Sequence, residues 1–470
     1  MQGEYRGDFT RDTFNRANQF CRVLMQQGRV QLDADWNEQT SILLHFLRSL
    51  GADLIGQHGG PAGTGFAITS YNANNQSDLQ IGSGHYYVDG VLCETGPLPN
   101  AGDAASLSYL TQPNFPKPVP LPAAGSVLVY LDVWERHMTY AQNSCLREVA
   151  LGGPDTASRA MIVCQVKFIK DLPTGIPPSG KKWQWPAGNN LSDADWSNWI
   201  SLWQPGNRGF LKAQVQPQQT TTDPCVISPA SSYRGTENQL YRVEIHNGGA
   251  ASTAVTSAAQ TGPSFKWSRE NGSVVFPILK LATSANQTTV TLASLGRDSN
   301  LSLQVNDWVE VVDDNSSLAG SVDSLLQVVA IDSANLVVTL AGTSSIVVAQ
   351  PPTTHPILRR WDGTAPITES NGTLPTNWLP LEDGIQIQFQ PAAAGPANQY
   401  RSGDYWLLPA RVATGQIEWP QQPGGQGPAQ LQPHGVEHHY APLAFFQAFP
   451  NNPVDLRRIL QPIVLPKSTP

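Results

Sequence analysis

The chain has 470 residues, enough for roughly two to four domains and a substantial hydrophobic core. Only 14% of residues are charged, against about 25% in an average globular protein, while Gly (40) and Pro (38) are abundant; this composition suits a turn-rich β protein with uncharged polar surfaces. A net charge of -8 spread without a basic stripe argues against a nucleic-acid partner, and the absence of any run of about 18 apolar residues argues against a membrane span.

The opening residues, Met1 to Asp8, contain no apolar signal-peptide core, so synthesis in the cytoplasm without a signal peptide is expected. Five cysteines, odd in number and scattered, read as reduced thiols. Residues 1–65 divide into an arm and a helix. The arm is dense in aromatic and charged residues, and Tyr5, Arg6, Asp8, Phe9, Arg11, Phe14 and Arg29, with Trp36 beyond it, are the candidate assembly contacts. Asp33 or Asp35 can cap a helix running to about Asp53, in which Trp36, Ile42, Leu43, Phe46, Leu47, Leu50 and Leu54 recur at spacings of three and four. So wide an apolar stripe must pack on the chain's own core or on a neighbouring subunit.

Beyond residue 65 the signals are nearly all β. Residues 66–170 read as a β domain, with a hairpin over 79–94 turning at Asp89-Gly90 and partner strands over 126–137 and 159–169. Residues 171–210 form a Trp-rich insertion with a short helix expected over Ser192–Trp203. Trp183, Trp185, Trp196 and Trp199 there are either a small satellite core or a sugar-stacking platform. Residues 211–285 read as a β segment completing the core, and 286–350 as a small barrel-like unit with strands at Thr288–Leu292, Trp308–Val312, Leu325–Ile331 and Leu336–Leu340. Turns are expected at 313–315 and 332–335. A C-terminal β region spans 351–449, and 450–470 form an extended tail. The expected class is therefore mainly β: a multi-domain β-sandwich and small-barrel architecture with an N-terminal arm and one amphipathic helix.

Motifs of known chemistry are scarce. Gly59–Gly65 is glycine-rich but lacks the Lys-Ser/Thr ending of a phosphate loop and follows a helix. The sequence has no dinucleotide fingerprint, zincin helix, nucleophile elbow or CxxC pair. His434, His438 and His439, with Glu437, are weak candidates for a metal site, because Pro433 and Gly435 oppose the helix that their spacing would need. No carboxylate pair stands in a context that selects it for hydrolysis. No catalytic residue and no cofactor is expected, and the protein does not read as an enzyme. Three blocks mix Arg, acidic residues, Asn and aromatics in strand-like patterns: Tyr233–His246, Phe265–Phe276 and Tyr400–Arg411. They are suited to locking strand crossings or lining an interface.

The blocks Arg6–Phe14 and Val23–Glu38 resemble a family of functionally uncharacterised bacterial proteins found in gene clusters of contractile, phage-tail-like injection systems. Trp134–His137, Glu148–Thr156, Tyr233–Val243, Phe265–Val275, Leu358–Gly363, Gly403–Arg411 and His438–Leu443 are similar to the same family, whereas the Trp-rich insertion is not part of the pattern. The hairpin Gly84–Gly90 is also similar to hairpins of phage baseplate and tail-fibre proteins. The resemblance implies a structural component at the baseplate, spike or fibre end of a particle that is released or membrane-docked. It would assemble with itself as a trimer or hexamer-matched ring, and with baseplate, spike or tube proteins. A carbohydrate-binding adhesin that takes a surface glycan is the alternative, and a β-rich hydrolase a more distant one.

Overall fold

A computed structural model describes residues 3–63, 65–73, 76–96, 107–170, 192–204, 206–216, 232–251, 262–370, 378–392, 395–425 and 427–461. The protein is mainly β, with several sheets, a closed six-stranded barrel and three α-helices among the described residues. These helices are α1 (Asp33–Ile55), α2 (Asp193–Trp203) and α3 (Asp314–Ala319).

The first sheet is antiparallel and is built on two long strands, Gly125–Met138 and Arg159–Lys170, paired along their length. Its third strand, His439–Phe449, comes from far along the chain and pairs with Gly125–Met138. The expected division between a 66–170 domain and a 351–449 region is therefore crossed by the sheet itself. Two hairpins, Ile68–Ala73 with Gln76–Ile81 and Gly84–Val88 with Val91–Thr95, cover one face. Their inward residues Leu79, Ile81, Tyr86 and Val88 share a core with Val127, Val129, Leu131 and Phe446.

A second sheet runs Gly363–Pro366, Ser264–Ser268, Gln239–Asn247, Tyr405–Arg411 and Gln416–Ile417. A third joins Leu379–Pro380, Ile385–Gln390 and Phe210–Val215. Period-two burial in Phe210–Val215 turns Leu211, Ala213 and Val215 inward, where they share a core with Tyr241, Val243, Ile245, Phe265 and Trp406 of the second sheet.

The barrel is closed in the order Val275–Ser284, Gln287–Leu292, Val337–Ala341, Leu325–Asp332, Trp308–Val312, Ile357–Trp361. Its four middle strands match those expected between 286 and 350. Val275–Ser284 and Ile357–Trp361 close it from outside that range, pairing with each other and with the middle strands. The expected turn at 313–315 is instead the start of α3: Asp313 accepts from Ser316 N at 2.8 Å, and Gly320 ends the helix in the left-handed region.

α1 sits on the Asp89-Gly90 turn of the Gly84–Val88/Val91–Thr95 hairpin. Asp89 and Gly90 both have positive φ (47° and 76°), as a two-residue hairpin turn of this hand requires. A Cβ on Gly90 would lie 2.0 Å from the Arg48 carbonyl oxygen, so the helix backbone rests directly on the turn.

Candidate functional site

The sequence Leu240-Tyr-Arg-Val-Glu-Ile-His246 alternates polar with apolar, which by itself describes a strand with one wet face. In the structure both faces are buried. Tyr241, Val243 and Ile245 enter the apolar core, while Arg242, Glu244 and His246 are 0%, 1% and 4% exposed on the other side. What covers the polar face is the N-terminal arm together with the barrel.

Glu244 is the centre of this joint. Arg6 grips it with two parallel hydrogen bonds, Nε to Oε2 and Nη2 to Oε1, both 2.9 Å. Arg242 donates to the same carboxylate, and Lys266 lies 3.3 Å from it. Lys266 also bonds Glu310 of the barrel at 2.6 Å, and Glu310 accepts from Trp361 Nε1. The Arg242 guanidinium stacks over the Tyr405 ring at 3.5 Å. The arm backbone is tied in as well: Asn271 donates to the Gly7 carbonyl at 2.8 Å and Tyr405 Oη to the Gly3 carbonyl at 2.8 Å. Toward the first sheet, Tyr5 Oη donates to Glu135, which also pairs with Arg48 of α1, and Arg6 N donates to His137 Nδ1 at 3.3 Å. One short peptide thus fastens two sheets, the barrel and α1 together.

Burial pushes the Glu244 carboxyl up, but the charges of Arg6, Arg242 and Lys266 outweigh it and hold it well below the usual carboxylate range. His137, His246 and His58 are driven down to about 4, with burial the largest cause in each. A cleft of about 290 Å³ opens beside the joint, lined by Arg6, His137, Glu244, Lys266, Glu310 and Arg359 among others. Its charged groups are mostly engaged with one another, and among the described residues no group of three or more His, Cys, Asp or Glu side chains is placed to hold a metal ion.

The arm then runs along α1. Thr10 bonds Asp33 through both its hydroxyl (2.6 Å) and its amide (3.0 Å), so Asp33 ties arm to helix and does not cap the helix. Thr13 bonds Glu38, Phe14 packs against His45, and Val23 N donates to Gln39. Arg11 pairs with Glu418. Tyr5, Arg6, Phe9, Arg11 and Phe14, expected as assembly contacts, thus lie against their own chain, where Arg6 finds a buried carboxylate and Arg11 a partly exposed one. Asp8, Arg29 and Trp36 remain exposed.

The opposite face of α1 has no cover among the described residues. Only Ala34 and Ile42 of the helix are buried. Trp36 is 66% exposed, Leu43 53%, Phe46 54%, Leu47 64%, Leu50 56% and Leu54 76%, and the preceding Phe20, Leu24, Met25 and Val30 are exposed too. The seven large apolar side chains on the helix face, with Leu44 included, present on the order of 800 Å², about what one partner brings to a standard specific interface and more than the largest patch of most monomers.

The remaining sequence candidates do not converge on a site. His438 Nδ1 meets Asp132 at 2.7 Å, His439 Nδ1 meets Asp89 at 2.9 Å, and His434 lies against the Tyr405 ring, so the three imidazoles serve three different elements. The metal assignment to His434, His438 and His439 gives way to two carboxylate pairings and one ring contact. Trp196 and Trp199 are each 1% exposed, in edge contact at 5.1 Å, and share a small core with Leu128 and Phe445. Neither offers a face to a sugar, because α2 must bury its apolar side on the first sheet. Trp183 and Trp185 lie outside the described residues.

Among the described residues, the fold and surface are those of a β-rich body carrying one helix, α1, with an exposed apolar face. The chain belongs to a family described as "Family of unknown function (DUF6519)", which matches residues 5–174 and 206–449. The interval between the matched segments falls within the Trp-rich insertion. No curated protein matches the chain, and no solved structure does. No described helix is long and apolar enough to cross a membrane.

Proposed function

We propose that this protein is a structural component of a contractile, phage-tail-like injection particle, attached at its baseplate, spike or fibre end and acting through assembly. The observation that carries the reading is the uncovered apolar face of α1, which a chain of this low charge leaves exposed only at a cost in solubility. The sequence blocks that resemble proteins of such gene clusters supply the kind of particle. An internally fastened body, with its arm and two sheets joined by a buried ionic cluster, suits a part that transmits force without chemistry.

The test is a pull-down of the tagged full-length chain from its native host, imaged by negative-stain electron microscopy. Sheathed tubes carrying the tag at one end are the expected result. A homogeneous small oligomer without tubes, in cells that express sheath proteins, would overturn the proposal.

A further inference from the structure

The apolar face of α1 has an order that goes beyond hydrophobicity. Trp36, Thr40, Leu43, Leu47, Leu50 and Leu54 follow one another at spacings of four, three, four, three and four. This is the a/d spacing of a coiled coil, sustained over about 28 Å of helix. All six positions are exposed, so no described residue of the chain fills the seam. The flanks of the seam are equally informative. In a two-stranded coil the flanking positions are commonly charged; here they include Leu44 and Phe46, which are 41% and 54% exposed. Between Trp36 and Leu54 the one charged residue on the exposed face is Asp53, near its end. An apolar stripe this wide is the pattern of a helix surrounded by more than one neighbour.

We propose that α1 packs in register against the α1 helices of further copies of this chain, forming a bundle of three or more helices at the centre of a closed oligomer. The occupant is a second copy because the seam is self-complementary. It meets its own image with apolar side chains at every layer but the uncharged Thr40 and with almost no like charge, and the face supplies about the area per partner that a stable interface needs. Its other flank is held by the arm through Thr10–Asp33 and Thr13–Glu38 and by the Gly90 turn, so the seam is presented rigidly and its ordering entropy is already spent on folding the monomer. The inference rests on the assembly reading but names its partner.

The test is sedimentation equilibrium of the full chain at micromolar concentration, on wild type, on Leu47→Glu/Leu50→Glu and on Thr40→Leu. Wild type is expected at three or more times 50.8 kDa. The double variant, altered only at exposed positions, should be monomeric with an unchanged circular-dichroism spectrum. Thr40→Leu, which makes the polar seam layer apolar, should tighten assembly at least tenfold. A monomeric or dimeric wild type overturns the inference, as does an oligomer insensitive to all three seam positions. A wild-type monomer that still enters sheathed tubes removes the homotypic bundle alone and leaves the particle reading standing. A seam-dependent oligomer without tubes does the reverse.

Discussion

Arg6 and Glu244 are 238 residues apart in the chain and meet in a bidentate pair whose carboxylate side chain is 1% exposed. Removing Arg6 takes two parallel bonds from this carboxylate and leaves Arg242 and Lys266 alone to offset its charge, so Arg6→Ala should lower unfolding stability by about 2–3 kcal/mol in urea titrations. Arg11→Ala, which loses a pair more than a third exposed on both sides, should cost under about 1 kcal/mol in the same assay. Equal effects would mean that the arm is not fastened at Glu244. The buried histidines set a pH dependence. His58, His137 and His246 are held near 4 in the folded protein by burial, whereas in an unfolded chain they titrate near 6.5. The unfolded state therefore takes up protons first as pH drops. Their contribution is complete above about pH 6.5 and is lost as pH falls toward 4, on the order of 1 kcal/mol per histidine per pH unit. Despite its burial, the Glu244 carboxyl is held well below the usual carboxylate range by Arg6, Arg242 and Lys266 and so does not share this dependence. Urea midpoints measured between about pH 7.5 and 4.5 should fall accordingly, and a flat profile would contradict the burial of these rings.

At the scale of elements, the Asp89-Gly90 turn and α1 depend on each other. Gly90→Ala would demand a positive φ of an L side chain and push a methyl into the Arg48 carbonyl, a combined cost of about 2–4 kcal/mol. Loss of α1 protection in hydrogen exchange should accompany it, while a variant of wild-type stability and exchange would show that helix and hairpin are independent. The hairpin was legible because Asp-Gly is a strong two-residue turn signal, and the barrel strands because short β-branched runs alternate between turns. α1 was legible from its period. That its face would be uncovered was not, since spacing reports amphipathicity and not the identity of what it faces. The joint at Glu244 escaped for a similar reason. Alternating polar residues in 240–246 spell a wet face, and only the return of the arm, more than two hundred residues away in sequence, makes that face dry. Trp196 and Trp199 could be placed on a helix from sequence, but their burial depends on the first sheet, which no local pattern reveals.

For the whole molecule, the first sheet joins Gly125–Met138 to His439–Phe449, far apart in the chain, and the arm stitches that sheet to the second sheet and the barrel. The body is closed upon itself, and the one large apolar surface described on it is the face of α1 with the exposed residues that precede it. Assembly through that face is the central claim, and incorporation of seam variants into particles tests it most directly. Tagged wild type and tagged Leu47→Glu/Leu50→Glu would be expressed at matched levels in the native host, and the tag on purified sheathed tubes would be quantified. The account predicts the wild-type tag at one end of the tubes and a folded double variant absent from them. Incorporation of the double variant at the wild-type level, or tubes that never carry the tag, would contradict it.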